Sequence, residues 1–487
     1  MKTGMDRRTF LQMAAVGGAV SLVCSGVPAF GAAPEALPKA SRLISPGCRR
    51  SKVKVARLYM GTPQGAWPTP KLDLQEEVRS YKREFDKLKE DLADVDFTVD
   101  ELVTSTGQIS SLKDRLKSVD GILAIHLSMG VDGILDEILK AGQPTMVFAR
   151  PYSGHEWAGF GAWRNDPSGA KMECLLTSDF SQLAAAIRPF RAIHHLKEAK
   201  ILNLSTRNPA QYAQLMKDKF GTEIKQIDLK RTVDAYNAIA DRQAEQEAEL
   251  WIKGAEKVVE PPREEILKSA RLALAFEKLL DEEDATVMTV DCYGTMWGNG
   301  TIKLPAFPCL GFTRLNNMGL GGICESDLRC AMTHVLLQGL TGRPSFISDP
   351  TMDESRNSII LAHCLGTNKM DGPNGPASPY KLRTIMERQQ GCVPQVQMRV
   401  GQKVTQAILI GTDLIQYFTG EIIAAPVGLE ADRGCRTKIE VKVDGSATNL
   451  WRNWANGLHR QTCYGDVTQD LAHFCRFKKI KMINEAA

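Results

Sequence analysis

Apolar positions change period along this chain, and the changes divide it. Residues 53–60 form an apolar run that predicts a strand, and Asp73 with Glu76 caps the helix expected next. There Leu74, Val78, Tyr81, Phe85, Leu88 and Leu92 recur at three- and four-residue steps, a single buried stripe, while Lys82, Arg83, Lys87 and Lys89 face outward. The alternation continues with strands at 121–125 and 144–149 around a helix at 131–139, the rhythm of an α/β unit with a parallel sheet. A second unit follows: a helix over 180–196, a strand at 201–204, a helix over 212–220, a strand at 223–227, two long polar helices and a strand at 287–290. Beyond about residue 342 the runs become short and β-rich, at 359–362, 396–400, 407–411 and 439–443, separated by turns, which predicts a barrel or sandwich. A helix and strand over 466–480 end the chain.

The pattern therefore predicts an α/β protein with two parallel-sheet domains, 51–170 and 171–342, and a C-terminal β-rich, barrel-like domain, 343–487. A length of 487 residues is too great for one hydrophobic core. Ahead of these lie a segment over 1–31 and a linker over 32–50. Arg7-Arg8 opens a twin-arginine n-region, residues 13–30 are moderately apolar, and Ala29-Phe30-Gly31 fits a small-x-small cleavage pattern. The chain is expected to be exported to the periplasm, with no stable membrane span after processing, because Gly17, Gly18 and Gly26 interrupt the apolar stretch. Twin-arginine export carries folded proteins, so a metal can be chosen in the cytoplasm before competing ions are met.

Composition narrows the partners. A net charge of only +4, with no basic run interleaved with aromatic residues, argues against nucleic acid. The twelve cysteines are scattered and include no C-x-x-C pair; Cys292, Cys309, Cys324 and Cys364 lie in apolar stretches and read as buried thiols.

The chemistry-bearing candidates are Glu325, Asp349 and His459. An apolar-spaced helix over 328–340 separates the two acids, placing both just outside its ends, where α/β folds put chemistry. Two carboxylates and an imidazole suit a divalent cation. Asp327 reads as a first-turn helix acid, His334 as a core imidazole, His194 and His195 as a surface pair on a helix, and His473 as structural; His363, ending an apolar run, fits either a ligand or a structural role. Loops after the first strands offer His126 and the run Tyr152-Ser153-Gly154-His155-Glu156-Trp157 with Trp163: aromatic faces suit the C–H surfaces of sugars, and His155 and Glu156 suit hydroxyls, unless the run is a subunit contact.

Motifs in one order sharpen this. Asp291-Cys292-Tyr293, Pro308-Cys309-Leu310, Arg314-Leu315-Asn316, Cys324-Glu325-Ser326-Asp327, Leu340-Thr341-Gly342-Arg343-Pro344, Asp349, His363-Cys364, Gly434-Cys435-Arg436-Thr437 and His459 with Tyr464-Gly465-Asp466 together resemble the L-fucose isomerase-like proteins, relatives of L-arabinose isomerase. The resemblance implies two Rossmann-like domains and a C-terminal β-rich domain, assembled as a homo-oligomer (trimer or hexamer) with active sites at subunit boundaries. It implies an aldose–ketose isomerase acting on a carbohydrate through an ene-diol, with Mn²⁺ held by Glu325, Asp349 and His459. Glu325 and Asp349 would be catalytic, and His363 an extra ligand as in the arabinose branch. Leu458, where relatives commonly carry Asn, and Arg460 depart from the pattern at the residues that bear on sugar specificity. Two alternatives use the same features: a metal-dependent epimerase or lyase on a sugar derivative, and an exported sugar-binding protein.

Overall fold

A computed structural model describes residues 43–64, 66–427 and 432–487. The twin-arginine motif, the cleavage pattern and most of the linker lie outside the described residues. Among the described residues, no helix is long and apolar enough to cross a membrane.

The first sheet is wholly parallel, in the order β2-β1-β3-β4-β5, from β1 Val53–Met60, β2 Val95–Val103, β3 Gly121–His126, β4 Thr145–Ala149 and β5 Met172–Leu176. Every residue of β3 and β4 is buried, because helices cover both faces of the sheet. Leu74, Val78, Tyr81 and Phe85 are the buried stripe of Leu74–Lys87, whose N-cap Asp73 accepts from the backbone of Gln75 and Glu76. That helix stops at Lys87, short of the expected Leu92, which is buried in the turn beyond.

The second sheet is also parallel, in the order β7-β6-β8-β9: β6 Lys200–Leu204, β7 Glu223–Gln226, β8 Val287–Val290 and β9 Gly321–Cys324. The helix expected over 180–196 is two, Gln182–Ala185 and Arg188–Glu198, with Pro189 in the first turn of the second. His194 and His195 are buried rather than on the surface, because the segment before β1 crosses the outer side of their helix.

The C-terminal part is a closed antiparallel barrel. Its strands are β10 Phe346–Asp353, β11 Ser358–His363, β12 Lys403–Ile410, β13 Leu414–Ala424, β14 Thr437–Val443 and β15 Arg460–Tyr464, running β12-β15-β10-β11-β14-β13 with β13 pairing back to β12. A last strand, β16 Lys481–Asn484, adds in parallel to β13. The helix Leu328–Thr341 runs between the second sheet and the barrel. Cys330 to Leu340 are all buried, so it is enclosed on every side rather than amphipathic. Asp327 caps its start through the Cys330 amide, and Gly342, at φ 68°, ends it in the left-handed conformation that glycine adopts without penalty.

Candidate metal and substrate site

The carboxyl ends of the second sheet meet one end of the barrel, and there the three expected residues converge. Glu325 follows β9 directly. It and Ser326 both hold positive φ, 59° and 54°, two successive left-handed residues that turn the chain from β9 into the helix. Such a backbone costs on the order of 1–3 kcal/mol per non-glycine residue and persists only where its surroundings enforce it. Here Ser326 Oγ hydrogen-bonds Asn203 Oδ1 of β6, the Ser326 amide donates to Val290 O, and Arg207 donates to the carbonyl of Glu325 at 3.3 Å.

Asp349, expected just outside the end of the helix, lies inside β10 opposite Ala362 of β11. The barrel's register brings in both histidines. His363 ends β11, and His459 precedes Arg460, which pairs with Ser348. His459 Nε2 lies 3.2 Å from Asp349 Oδ1 and 3.6 Å from Glu325 Oε2, and His363 Nε2 lies 4.0 Å from Glu325 Oε1. The two imidazole rings are 5.5 Å apart. Asp349, His363 and His459 each offer a donor atom within 4.8 Å of the others, and so do Cys324, Glu325 and His363.

Charge is concentrated here. Burial favours a neutral His459 ring, but Asp327, Asp349 and Glu325 overcome it and lift the ring to about 10. Burial raises Glu325, helped by the neighbouring acids and opposed by His459. Asp349, though buried, is held below the ordinary carboxylate value by His459 and His363. His363 falls to about 4 because it is buried.

The donor set fits a hard divalent cation. Both ring nitrogens of His363 are buried without a hydrogen-bond partner, an arrangement costly unless something else satisfies it, and Asp349 Oδ1 and His459 Nε2, paired at 3.2 Å, have no partner beyond each other. His459 Nδ1 is held by Asp327 Oδ2 at 3.1 Å, the carboxylate–histidine pairing that orients an imidazole ligand through its other nitrogen. Asp327, expected as an acid of the helix's first turn, is instead its N-cap and also positions His459.

Further residues at this edge were missed. Asp291, after β8, caps the helix Cys292–Trp297 and lies 3.8 Å from Arg207; Tyr293 hydrogen-bonds Glu387 at 3.3 Å, and Glu387 adds to the negative field on Glu325. Asp291 and Tyr293 entered the sequence reading only as a matching motif. The rule that chemistry gathers at the carboxyl ends of parallel strands, applied to β6 and β8 as well as β9, finds Arg207, Asp291 and Tyr293.

The substrate-loop candidates form a second cluster at the end of the first sheet. His126 Nε2 lies 3.3 Å from Glu156 Oε2, its Nδ1 bonds Ser153 Oγ at 2.9 Å, and Glu156 Oε1 accepts from the Gly130 amide at 2.6 Å. His155 packs on Trp67 at 4.7 Å, while Tyr152 and Trp157 are 78% and 57% exposed. A pocket beside them is lined by Tyr81, His126, Arg150, Tyr152 and Ser153. No described contact joins these residues to Glu325, Asp349 or His459 within one chain.

No protein-family model matches the chain. Over 176 residues it is 27% identical to sulfoquinovose isomerase of Clostridium sp. (strain MSTE9), a stretch covering 34% of this chain and 37% of that protein. The chain thus spans little more than a third of the curated relative it matches. That weak similarity is to an isomerase.

Proposed function

We propose that this protein is a metal-dependent aldose–ketose isomerase of a sugar or sugar derivative, working through an ene-diol with Mn²⁺ as cofactor. The observation that carries the reading is the meeting of Glu325, Asp349 and His459, with His363, around unsatisfied buried donor atoms. Glu325, Asp349 and His459 would hold the ion, with His363 as a further ligand. A bound hard cation supplies charge stabilisation for an oxyanion developing on the substrate. The chain's own groups move the protons: one of Glu325 and Asp349 takes the C2 proton and returns it at C1, and the other carries the hydroxyl proton. The barrel strands fix Asp349, and the left-handed turn aims Glu325 at the same space.

The similarity to sulfoquinovose isomerase supports isomerisation and puts sulfoquinovose in the substrate panel. The second cluster supports a homo-oligomer in which His126, His155, Glu156 and Trp157 of one subunit face the carboxylates of another. The twin-arginine motif supports a periplasmic location.

The test is incubation of the protein with Mn²⁺ and a panel of aldoses, sulfoquinovose and keto-glycosides. Isomerisation conserves substrate mass, epimerisation inverts a centre without moving the carbonyl, and elimination splits the substrate. Glu325→Gln and Asp349→Asn should each lower turnover by about 10²–10⁴-fold with the fold intact. Near-normal turnover in either variant removes that residue from the mechanism. Tight sugar binding by a chain that takes up no metal would favour the binding-protein reading instead.

A further inference from the structure

The segment before β1 is tied to the helix Arg188–Glu198 by polar side chains that take no part in the barrel-end cluster. Cys48 Sγ lies 3.4 Å from Glu198 Oε2, and His194 Nε2 lies 3.5 Å from the same oxygen. His194 and Glu198 are one helical turn apart, so both side chains face the crossing segment. The Ser51 carbonyl oxygen stands 3.0 Å from His194 Nε2 and 3.3 Å from Cys48 Sγ. Cys48 and His194 are 2% and 3% exposed, and donor atoms of Cys48, His194 and Glu198 lie within 4.8 Å of one another.

We propose that Cys48, His194 and Glu198 form a second metal site, selective for a thiolate-preferring divalent cation such as Zn²⁺, with the Ser51 carbonyl closing the fourth corner. Bonds of about 2.3 Å to sulfur and about 2.0 Å to nitrogen or oxygen give a tetrahedron with S···O edges of about 3.5 Å and N···O edges of about 3.3 Å. The observed 3.4 Å and 3.5 Å already lie close to those edges, and the carbonyl's 3.3 Å and 3.0 Å are slightly shorter than theirs. Asp120 accepts from His194 Nδ1 at 2.8 Å, which turns Nε2 toward the other donors and makes the ring a better ligand. On binding, the Cys48 thiol and His194 Nε2 each lose a proton to water, and one thiolate with one carboxylate balances the charge of the ion. The set of Glu325, Asp349, His363 and His459 at the barrel end, rich in oxygen and imidazole donors, favours Mn²⁺, so the two sites would sort metals by donor softness. An ion here would clamp the segment leading into β1 onto the body of the protein.

Co²⁺ reports the site, because thiolate ligation gives an intense near-ultraviolet charge-transfer band that carboxylate and imidazole do not. Cys324 lies beside the barrel-end donors, so the titration uses full-length Cys324→Ser, in which no thiol remains in that donor group. This protein should develop the band with Co²⁺, and adding Cys48→Ser should abolish it. A Cys324→Ser protein without the band, or a band that survives in Cys48→Ser/Cys324→Ser, overturns the proposal. Should Cys48→Ser fail to fold, melting of His459→Gln decides. Zn²⁺ should raise its melting temperature by several degrees, reversibly by chelator, and no rise overturns the proposal.

Discussion

A single side chain, Asp327, links helix formation to the candidate metal centre. One carboxylate oxygen accepts from the Cys330 amide and the other from His459 Nδ1. Asparagine has a single carbonyl oxygen, so Asp327→Asn can keep the cap on the Cys330 amide but turns its donor-only NH2 toward His459 Nδ1, losing both the acceptor and the charge that hold the ring while the helix cap survives. The variant's Mn²⁺ affinity, followed by electron paramagnetic resonance titration, should fall about 10–100-fold. An unchanged affinity would confine Asp327 to its helix. His334 is a different kind of histidine: fully buried, bonded through Nδ1 to Ser345, and pushed by burial down to about 4. Its folded value lies below the unfolded one, so the unfolded chain takes up the proton first, and stability is lost as pH falls from about 6.5 towards 4. The loss at full titration is on the order of 3 kcal/mol. His334→Gln should flatten that acid limb of the melting temperature against pH, and a profile as steep as wild type would assign the limb to other groups.

At the scale of elements, the site depends on how closely the helix Cys309–Asn317 approaches β9. A Cβ on Gly322 would meet Phe312 Cα at 2.3 Å and Phe312 O at 2.6 Å, backbone atoms that cannot step aside. Gly322→Ala should therefore cost about 1–3 kcal/mol, and, with Glu325 three residues on, reduce kcat as well as melting temperature. Gly107, in the helix Thr106–Lys117, has nothing within 4 Å of such a Cβ, and Gly107→Ala should instead stabilise by about 0.5–1 kcal/mol with kcat unchanged. Calorimetry with steady-state kinetics checks both. These elements also show what the sequence made legible. Six of the parallel strands and the helix Leu328–Thr341 were readable because their apolar runs are local; β2, whose run is broken by Asp96, Thr98, Asp100 and Glu101, and the short β5 and β9 were not. Strand β10 was not, because Pro350 and the polar residues Ser348, Asp349 and Thr351 erase its alternation; only pairing with β11 and β15 makes it a strand. His363 was ambiguous for the same reason, since register against β10 and β14 decides where its ring points. The burial of His194 depends on a segment far away in sequence, which no local pattern records.

For the whole molecule, the two clusters pose a question of assembly. One chain holds the carboxylates and imidazoles at the barrel end and the His126–Glu156 pair at the end of the first sheet, and no described contact joins them. Exposed Tyr152 and Trp157 flank the second cluster, as expected where one subunit completes another's pocket. If the sites are shared in this way, Glu325→Gln and His126→Ala damage different partners of the same site. Each variant alone should be nearly inactive, but oligomers assembled from both should contain sites with an intact Glu325 on one side and an intact His126 on the other. In a closed ring where each site draws on two neighbours, random mixing predicts recovery of about a quarter of wild-type activity, and mixed trimers freed of the single-variant rings recover about a third. Co-expression with two affinity tags isolates the mixed oligomers, and light scattering gives their size. Mixed oligomers no more active than the single variants would mean that each chain works alone, with His126 and Glu156 serving some other purpose.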